Sequence, residues 1–413
     1  MGQAIGRIKK IVLWKNVLGR PLIICLLGAN VSIAELKPID DQALSEVTGQ
    51  AYVSVDKSYH PDASKNTSYT RINLGMDIEM QSNADVLELG RYEREGEEAG
   101  SADLLIHDYS LGYIYDQAYF DRNPDAPMQF KEDGSAYVDG EIVPFKITDP
   151  FLEFAYDEAT NEMIGVRIGF GDAQGMLGGE IKYLTGNVNV NIEDTGEGLG
   201  DAETDGTLSD QIIVLLTPLL EGKKFISTKA QPVQGDPNKP NYGEPDPVRA
   251  EYLGVANGEN FVLEDAGGFT RWSLLTLLGG GSSSNITLPG CTFWNCPSGD
   301  IIIETQGCKN LGIQTCFPLS QYQGFAVGEI GEQNGQRAVV GAAEGMFLSF
   351  QTQDLEWLTD VRAANPTPAD FIKATSGAFF NIPNGAVTVN LNEAINGVEG
   401  MRREYIDRGV GLF

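Results

Sequence analysis

The sequence concentrates oxygen ligands in one acidic stretch, residues 201–210. Side chains with hard oxygens alternate along it around Gly206, an arrangement that can wrap a calcium ion. The candidate ligands are Asp201, Glu203, Asp205, Thr207 and Ser209. A complete EF-hand loop would have a bidentate glutamate where this chain has Ile212. Two interpretations stay open: a site with calcium as cofactor, and a solvated acidic linker.

Four cysteines that lie close together in the sequence could form disulfides or bind a metal. They are Cys291, Cys296, Cys308 and Cys316, spaced C-x4-C-x11-C-x7-C. In an exported protein such a cluster indicates disulfides, and the sequence leaves all three pairings open. A structural zinc site is the alternative, although the gap of seven residues fits the usual zinc spacing poorly. We predict disulfides.

No signature of catalysis occurs in the sequence. The motif G-x-S-x-G is absent, and His60 and His107 are the only imidazoles that could act as a base. Paired carboxylates suffice for glycoside hydrolysis, but 58 acidic residues produce such pairs by chance. We therefore predict a protein that is not an enzyme. A hydrolase would need a cleft that contains an acid of raised pKa.

The first 34 residues have the features of a secretory signal peptide. A basic start precedes the apolar run 21–29, and Ser32 and Ala34 are the small residues that a signal peptidase reads. We predict cleavage after Ala34, with an uncleaved anchor as the alternative. Loss of five basic residues would leave 24 Lys+Arg against 58 Asp+Glu, a net charge of −34.

This charge excludes two classes of partner. Nucleic acid is bound through Lys and Arg that displace counterions. A surface as acidic as this one would repel nucleic acid. Anionic lipid surfaces are disfavoured for the same reason. After the signal peptide, no apolar segment is long enough to span a membrane as a helix. We expect no transmembrane span in the mature chain.

Alternation of apolar and polar side chains predicts β-strands. The clearest run places Ile72, Leu74, Met76, Ile78 and Met80 on one face. Further alternating or strand-like segments cover residues 104–114, 164–170, 187–192, 346–350 and 387–391. The fold class is therefore predicted as all-β and mainly antiparallel, an extended sheet or a β-sandwich with a few short helices, one of them at 391–399.

Composition suggests where this β-rich chain divides. An acidic, Gly-rich stretch and a Pro-rich stretch flank an apolar segment around Leu215. The predicted parts are the signal peptide 1–34, an N-terminal β-rich domain 35–192, a connecting region 193–247 and a C-terminal β-rich domain 248–413. Residues 279–316 form a Cys-stapled loop in the last of these.

The start of the predicted mature chain reads as one short helix, with Asp41 near its cap and Gly49 at its end. With the signal peptide, residues 35–50 resemble the start of the Fil-type pilus-assembly proteins and related surface proteins of Gram-negative bacteria. The motif that carries the resemblance consists of Asp41, Leu44, Val47, Gly49 and Gln50. Stretches 165–171, 347–352 and 403–409 also look similar to uncharacterised relatives.

The resemblance implies an exported, β-rich protein of the periplasm, outer membrane or cell surface of a Gram-negative bacterium. Its partners would be other envelope or filament proteins, or further copies of the chain. We expect a structural or interaction protein in a surface filament, pilus or adhesin assembly. Two alternatives remain: a module that binds carbohydrate or lipid, and a secreted hydrolase that uses paired carboxylates.

Overall fold

Alternating side chains build one large β-sheet, and 54% of the residues that the structure describes are strand. The computed structural model describes residues 52–195, 226–277, 285–310 and 313–404, all within one compact unit, residues 51–413. Twenty strands belong to a single sheet. The predicted all-β, mainly antiparallel fold is confirmed. No helix among the described residues is long and apolar enough to cross a membrane.

The strands and helices have the following bounds. The first strands are β1 (Tyr52–Tyr59), β2 (Thr67–Gly75), β3 (Asp77–Met80), β4 (Ser82–Arg91), β5 (Ala102–Leu111), β6 (Tyr113–Ile114), β7 (Ile142–Val143), β8 (Phe145–Thr148), β9 (Phe151–Asp157), β10 (Glu162–Gly169), β11 (Asp172–Leu184), β12 (Gly186–Asp194), β13 (Ile226–Val233) and β14 (Tyr252–Gly254). The others are β15 (Asn260–Ala266), β16 (Ile286–Thr287), β17 (Gly299–Glu304), β18 (Lys309–Asn310), β19 (Ile313–Gln314), β20 (Cys316–Pro318), β21 (Gly324–Val327), β22 (Glu329–Gln333), β23 (Gln336–Gly341), β24 (Ala343–Glu344), β25 (Phe347–Gln351), β26 (Leu355–Leu358), β27 (Phe371–Ala374) and β28 (Gly377–Val389). The helices are α1 (Gln117–Arg122), α2 (Gly268–Leu277) and α3 (Leu391–Asn396).

The main path through the sheet runs β1-β2-β9-β10-β25-β28-β12-β13-β15-β17-β16. Every pairing on this path is antiparallel except β12 with β28, which is parallel. A second path leaves β28 through β21 to β11, β5 and β4. Strand β28 therefore joins the two parts of the sheet.

The largest hydrophobic core lies where these paths meet. It includes Ile106 of β5, Leu177 of β11, Val190 of β12, Val387 of β28 and Ala394 of α3. Successive side chains of a strand point to opposite faces of the sheet, so every second residue of each strand faces this core. The core thus holds together strands that are distant in sequence.

The sheet crosses the predicted boundaries at residues 192 and 248. Strand β12 pairs with β28, and β10 pairs with β25, so strands from both halves of the chain alternate in one sheet. Part of the Pro-rich stretch folds back on β13, since Gln234 N donates to Glu244 O and Asp246 N to Pro232 O. The boundaries do not correspond to breaks in the sheet.

Two local predictions need correction. In β10 we expected Ile164, Val166 and Ile168 to share a buried face, but Ile168 is exposed and Arg167 is buried. The register shifts between Met163 and Gly165, which reverses the faces beyond it. The C-terminal helix, predicted to cover 391–399, ends at Asn396, because Gly397 adopts φ +81° directly after it.

A buried row of charges fastens the flank of the sheet next to β1. Arg71 of β2, Glu153 of β9 and Arg167 of β10 lie directly opposite one another on adjacent strands. Glu153 accepts from Arg71 Nε at 2.9 Å and from Arg167 Nε at 2.6 Å. The Arg167 side chain is 1% exposed, and Nη1 donates to Leu358 O at 2.7 Å. This charge row explains why Arg167 faces inward.

Candidate functional sites

The four cysteines form two disulfides, Cys291–Cys296 and Cys308–Cys316. Each cysteine therefore pairs with its nearest neighbour in sequence. The second disulfide lies in a small core with Val233. Disulfides persist in oxidising compartments, so the two bonds indicate an exported protein.

Two predicted groups lie outside the described residues. One is the calcium candidate, Asp201, Glu203, Asp205, Thr207 and Ser209. The other is the family-like motif, Asp41, Leu44, Val47, Gly49 and Gln50, together with the signal peptide 1–34. Within the part of the chain that the structure describes, no group of three or more His, Cys, Asp or Glu could hold a metal ion.

Strand β1 forms one end of the sheet. It pairs with β2, and it pairs with no other strand among the described residues. Its side chains are exposed to solvent: the exposed fraction is 56% for Val53, 65% for Val55 and 59% for Tyr59. Such an edge offers main-chain donors and acceptors to another strand. Strand β1 is the first candidate site.

The hydrogen-bond pattern identifies which residues of β1 present their main chain to the free edge. Beyond the strand end, His60 N donates to Thr67 O at 2.9 Å, while Leu74 N donates to Pro150 O, away from β1. Bonded and non-bonded pairs alternate along an antiparallel ladder. The main-chain groups that point outward therefore belong to Val53, Val55, Lys57 and Tyr59.

A pocket of about 320 Å³ is the second candidate site. Carboxylates and cations both line it, including Glu97, Asp246, Glu251, Lys239 and Arg249. Arg249 is buried, and its guanidinium holds Asp103 beneath the pocket. The two sides of the pocket thus come from segments about 150 residues apart in the chain.

Three carboxylates of the pocket have raised pKa values. Burial raises the pKa of Glu97, and the nearby Asp246 charge raises it further. Burial also raises the pKa of Asp246 and of Glu251. Removal from water disfavours the charged form of an acid. A cleft with acids of raised pKa is what the hydrolase alternative requires, so that alternative stays open.

The raised pKa of Asp246 predicts a pH-dependent change in stability. The folded state binds the proton more tightly than the unfolded state, so the stability that Asp246 contributes is lost as pH rises through its folded pKa. Asp246→Asn should therefore raise the unfolding temperature at pH 7, on the order of 1 °C because solvent screens this site. The gain should vanish near pH 3. Thermal unfolding at both pH values measures it.

Asp133→Asn provides the matched control with the opposite sign. Hydrogen bonds from Ser135 lower the pKa of Asp133, so its charge favours the folded state. This variant should be less stable than the wild type at pH 7, and the difference should disappear at low pH. An Asp246→Asn gain that persists at pH 3 would contradict the assignment.

Sequence reasoning missed both candidate sites. The segment 52–59 does alternate, since Val53 and Val55 are separated by Ser54, but its position at the end of the sheet follows from long-range pairing. The pocket acids are ordinary members of a set of 58 acidic residues. Only burial distinguishes Glu97 and Asp246, and burial is set by the fold.

No known protein family matches the chain, and neither a curated protein nor a solved structure is similar to it.

Proposed function

We propose that this chain is a non-enzymatic, exported interaction protein of the cell envelope that joins an assembly through the free edge of β1. A strand of a neighbouring subunit, either a further copy or another envelope protein, would pair with this edge. One observation carries the proposal: β1 is an eight-residue strand that, within the described ranges, pairs on one side only and is exposed to solvent. Unpaired edges of this kind bind extended segments by strand addition.

The side chains of β1 indicate which kind of partner strand would fit it. Three of the four residues that present their main chain outward have apolar or aromatic side chains, Val53, Val55 and Tyr59. Lys57 interrupts them, and its ammonium lies 4.9 Å from the Tyr59 ring centroid. Cross-strand pairs between β-branched or aromatic side chains stabilise a ladder. A partner strand with alternating apolar residues would complement this face.

The part of the sheet next to β1 holds the edge of β1 in a fixed position for a partner strand. The charge row of Arg71, Glu153 and Arg167 connects three consecutive strands directly behind β1. On the face of β1 that carries Ser54, Asn73 Nδ2 of β2 donates to Ser54 Oγ at 3.1 Å. A fixed edge loses little conformational entropy when another strand binds. The finer parts of the proposal, a filament, pilus or adhesin, depend on the family resemblance.

A proline at position 55 tests the proposal. The Val55 N–H points to the free edge, so Val55→Pro removes a donor for a partner strand without removing one from the β1–β2 ladder. We expect at least about a tenfold loss of association, since one lost main-chain bond and a blocked edge cost about 1.4 kcal/mol or more. Val55→Thr keeps the N–H and the branched side chain, and it should associate normally.

Two measurements cover both kinds of partner. Sedimentation of the purified mature protein over a concentration range detects further copies, and cross-linking in cells from a photoreactive residue at position 57 captures another protein. Circular dichroism confirms that both variants fold. The proposal fails if the wild type stays monomeric and uncross-linked, or if Val55→Pro associates as well as Val55→Thr.

A further inference from the structure

A group of exposed aromatic side chains lies far along the chain from β1. Phe269 and Trp272 come from α2, and Phe293 and Trp294 come from the loop that the Cys291–Cys296 disulfide closes. We call these four residues the aromatic patch. Phe269 is 75% exposed and Trp294 is 91% exposed, so most of the Trp294 surface is open to solvent. Soluble surfaces seldom expose large rings together without a binding role.

Several interactions hold the patch in place. Within the loop, Thr292 N donates to Asn295 O at 2.8 Å, and the disulfide joins the residues on either side. Trp272 Nε1 donates to Phe293 O at 3.1 Å, which fastens the loop to α2. The Phe293 and Trp294 rings meet edge to face, with centroids 5.2 Å apart. The rings are therefore displayed in a fixed arrangement rather than on a loose loop.

Arg271 completes this support and leaves the patch without charge. Its buried guanidinium donates to Pro297 O at 2.6 Å and also to Pro289 O, so it binds both ends of the disulfide loop. Between Asp265 and Asp300 it is the only charged residue in the sequence. In a chain with twice as many acids as bases, the four rings of the patch thus come from a stretch, residues 266–299, whose one charged side chain is buried.

These observations fit one occupant best. We infer that the aromatic patch docks the protein on the uncharged, zwitterionic headgroup layer of a lipid membrane, with Trp294 and Phe293 inserted. Tryptophan and other aromatic rings concentrate at membrane–water interfaces, where one part of the ring is wet and the other apolar. Anionic lipid would repel so acidic a protein. A sugar site would add polar groups that converge on hydroxyls, whereas Arg271 is already engaged with two carbonyls.

Vesicles of phosphatidylcholine test the inference. We expect the mature protein to float with these vesicles and the tryptophan emission to shift to shorter wavelength. The double variant Phe293→Ser, Trp294→Ser should bind at least about a hundredfold more weakly, because each buried ring contributes about tenfold or more. Vesicles with added phosphatidylglycerol should bind the wild type more weakly, and high salt should reduce that difference. Both substituted residues are exposed, so the variant should fold.

The control is Val138→Ser, which removes an exposed apolar side chain outside the patch and should bind as the wild type does. Absence of flotation by the wild type would overturn the inference, as would undiminished binding by the double variant. Binding of the wild type to neutral oligosaccharides, lost in the double variant, would assign the patch to sugar instead. The proposal for β1 is independent of this result, since Val55→Pro leaves the patch intact.

Discussion

Glu153→Gln is expected to lower the free energy of unfolding by about 3 to 5 kcal/mol, the usual cost of breaking a buried ion pair. The substitution keeps the size of the side chain but removes its charge. Arg167 is fully buried, and its guanidinium carbon lies 5.0 Å from the Trp357 ring centroid and 5.0 Å from that of Phe347. Without Glu153 this charge would have no anionic partner among the groups that contact it. Equilibrium unfolding in urea measures the loss.

Glu88→Gln separates the effect of burial from that of charge. Glu88 pairs with Arg91 on exposed β4, where the Arg91 side chain is 55% exposed. Ion pairs in solvent contribute little, so Glu88→Gln should lower the free energy of unfolding far less than Glu153→Gln does. Equal losses in Glu153→Gln and Glu88→Gln would show that the charge row does not stabilise the flank of the sheet.

Arg249→Met should have a comparable effect at the other buried ion pair, about 3 to 5 kcal/mol. Arg249 Nε donates to Asp103 Oδ1 at 3.0 Å, and Nη2 donates to Tyr92 O at 2.8 Å. The carboxylate of Asp103 is fully buried and also accepts from Ala378 N at 2.9 Å. Methionine fills similar space but leaves the Asp103 charge and the Tyr92 carbonyl without this donor. The midpoint of urea unfolding should fall accordingly.

A double-mutant cycle with Asp103→Asn tests whether the pair acts as a unit. Because the two side chains are in contact, the double variant should lose less stability than the sum of the single variants, by about 0.5 to 3 kcal/mol. Strict additivity would argue against the pair. Arg91→Met, at an exposed ion pair, is the matched control and should change stability far less than Arg249→Met does.

Alternation along the sequence was sufficient to predict the fold class. It located β12 correctly, where Val188, Val190 and Ile192 are buried and the intervening asparagines are not. It did not predict the face of β10, because the register shift before Gly165 and the partner Glu153 are properties of neighbouring strands. Nor could it predict that β12 pairs with β28, nearly 200 residues later.

The candidate sites show the same division between local and long-range information. Spacing and export indicated that Cys291, Cys296, Cys308 and Cys316 form disulfides, but the pairing depends on the fold. Strand β1 lies at the end of the described sheet, since β2 separates it from β9, which begins at Phe151. The sequence of residues 52–59 alone does not reveal where β1 lies in the sheet. Sites built from edges and pockets depend on contacts between segments that are distant in sequence.

The position of β28 has a consequence for the order of folding. It lies inside the sheet, with β25 and β12 on its two sides, yet it begins at residue 377 of 413. A chain emerging from the ribosome lacks this central strand until residues 377–389 have been made, long after β12. Pairing across such long loops is entropically costly and slow. Until β28 is made, the strands on its two sides lack their common partner, and such unpaired strands are prone to aggregate unless a chaperone binds them.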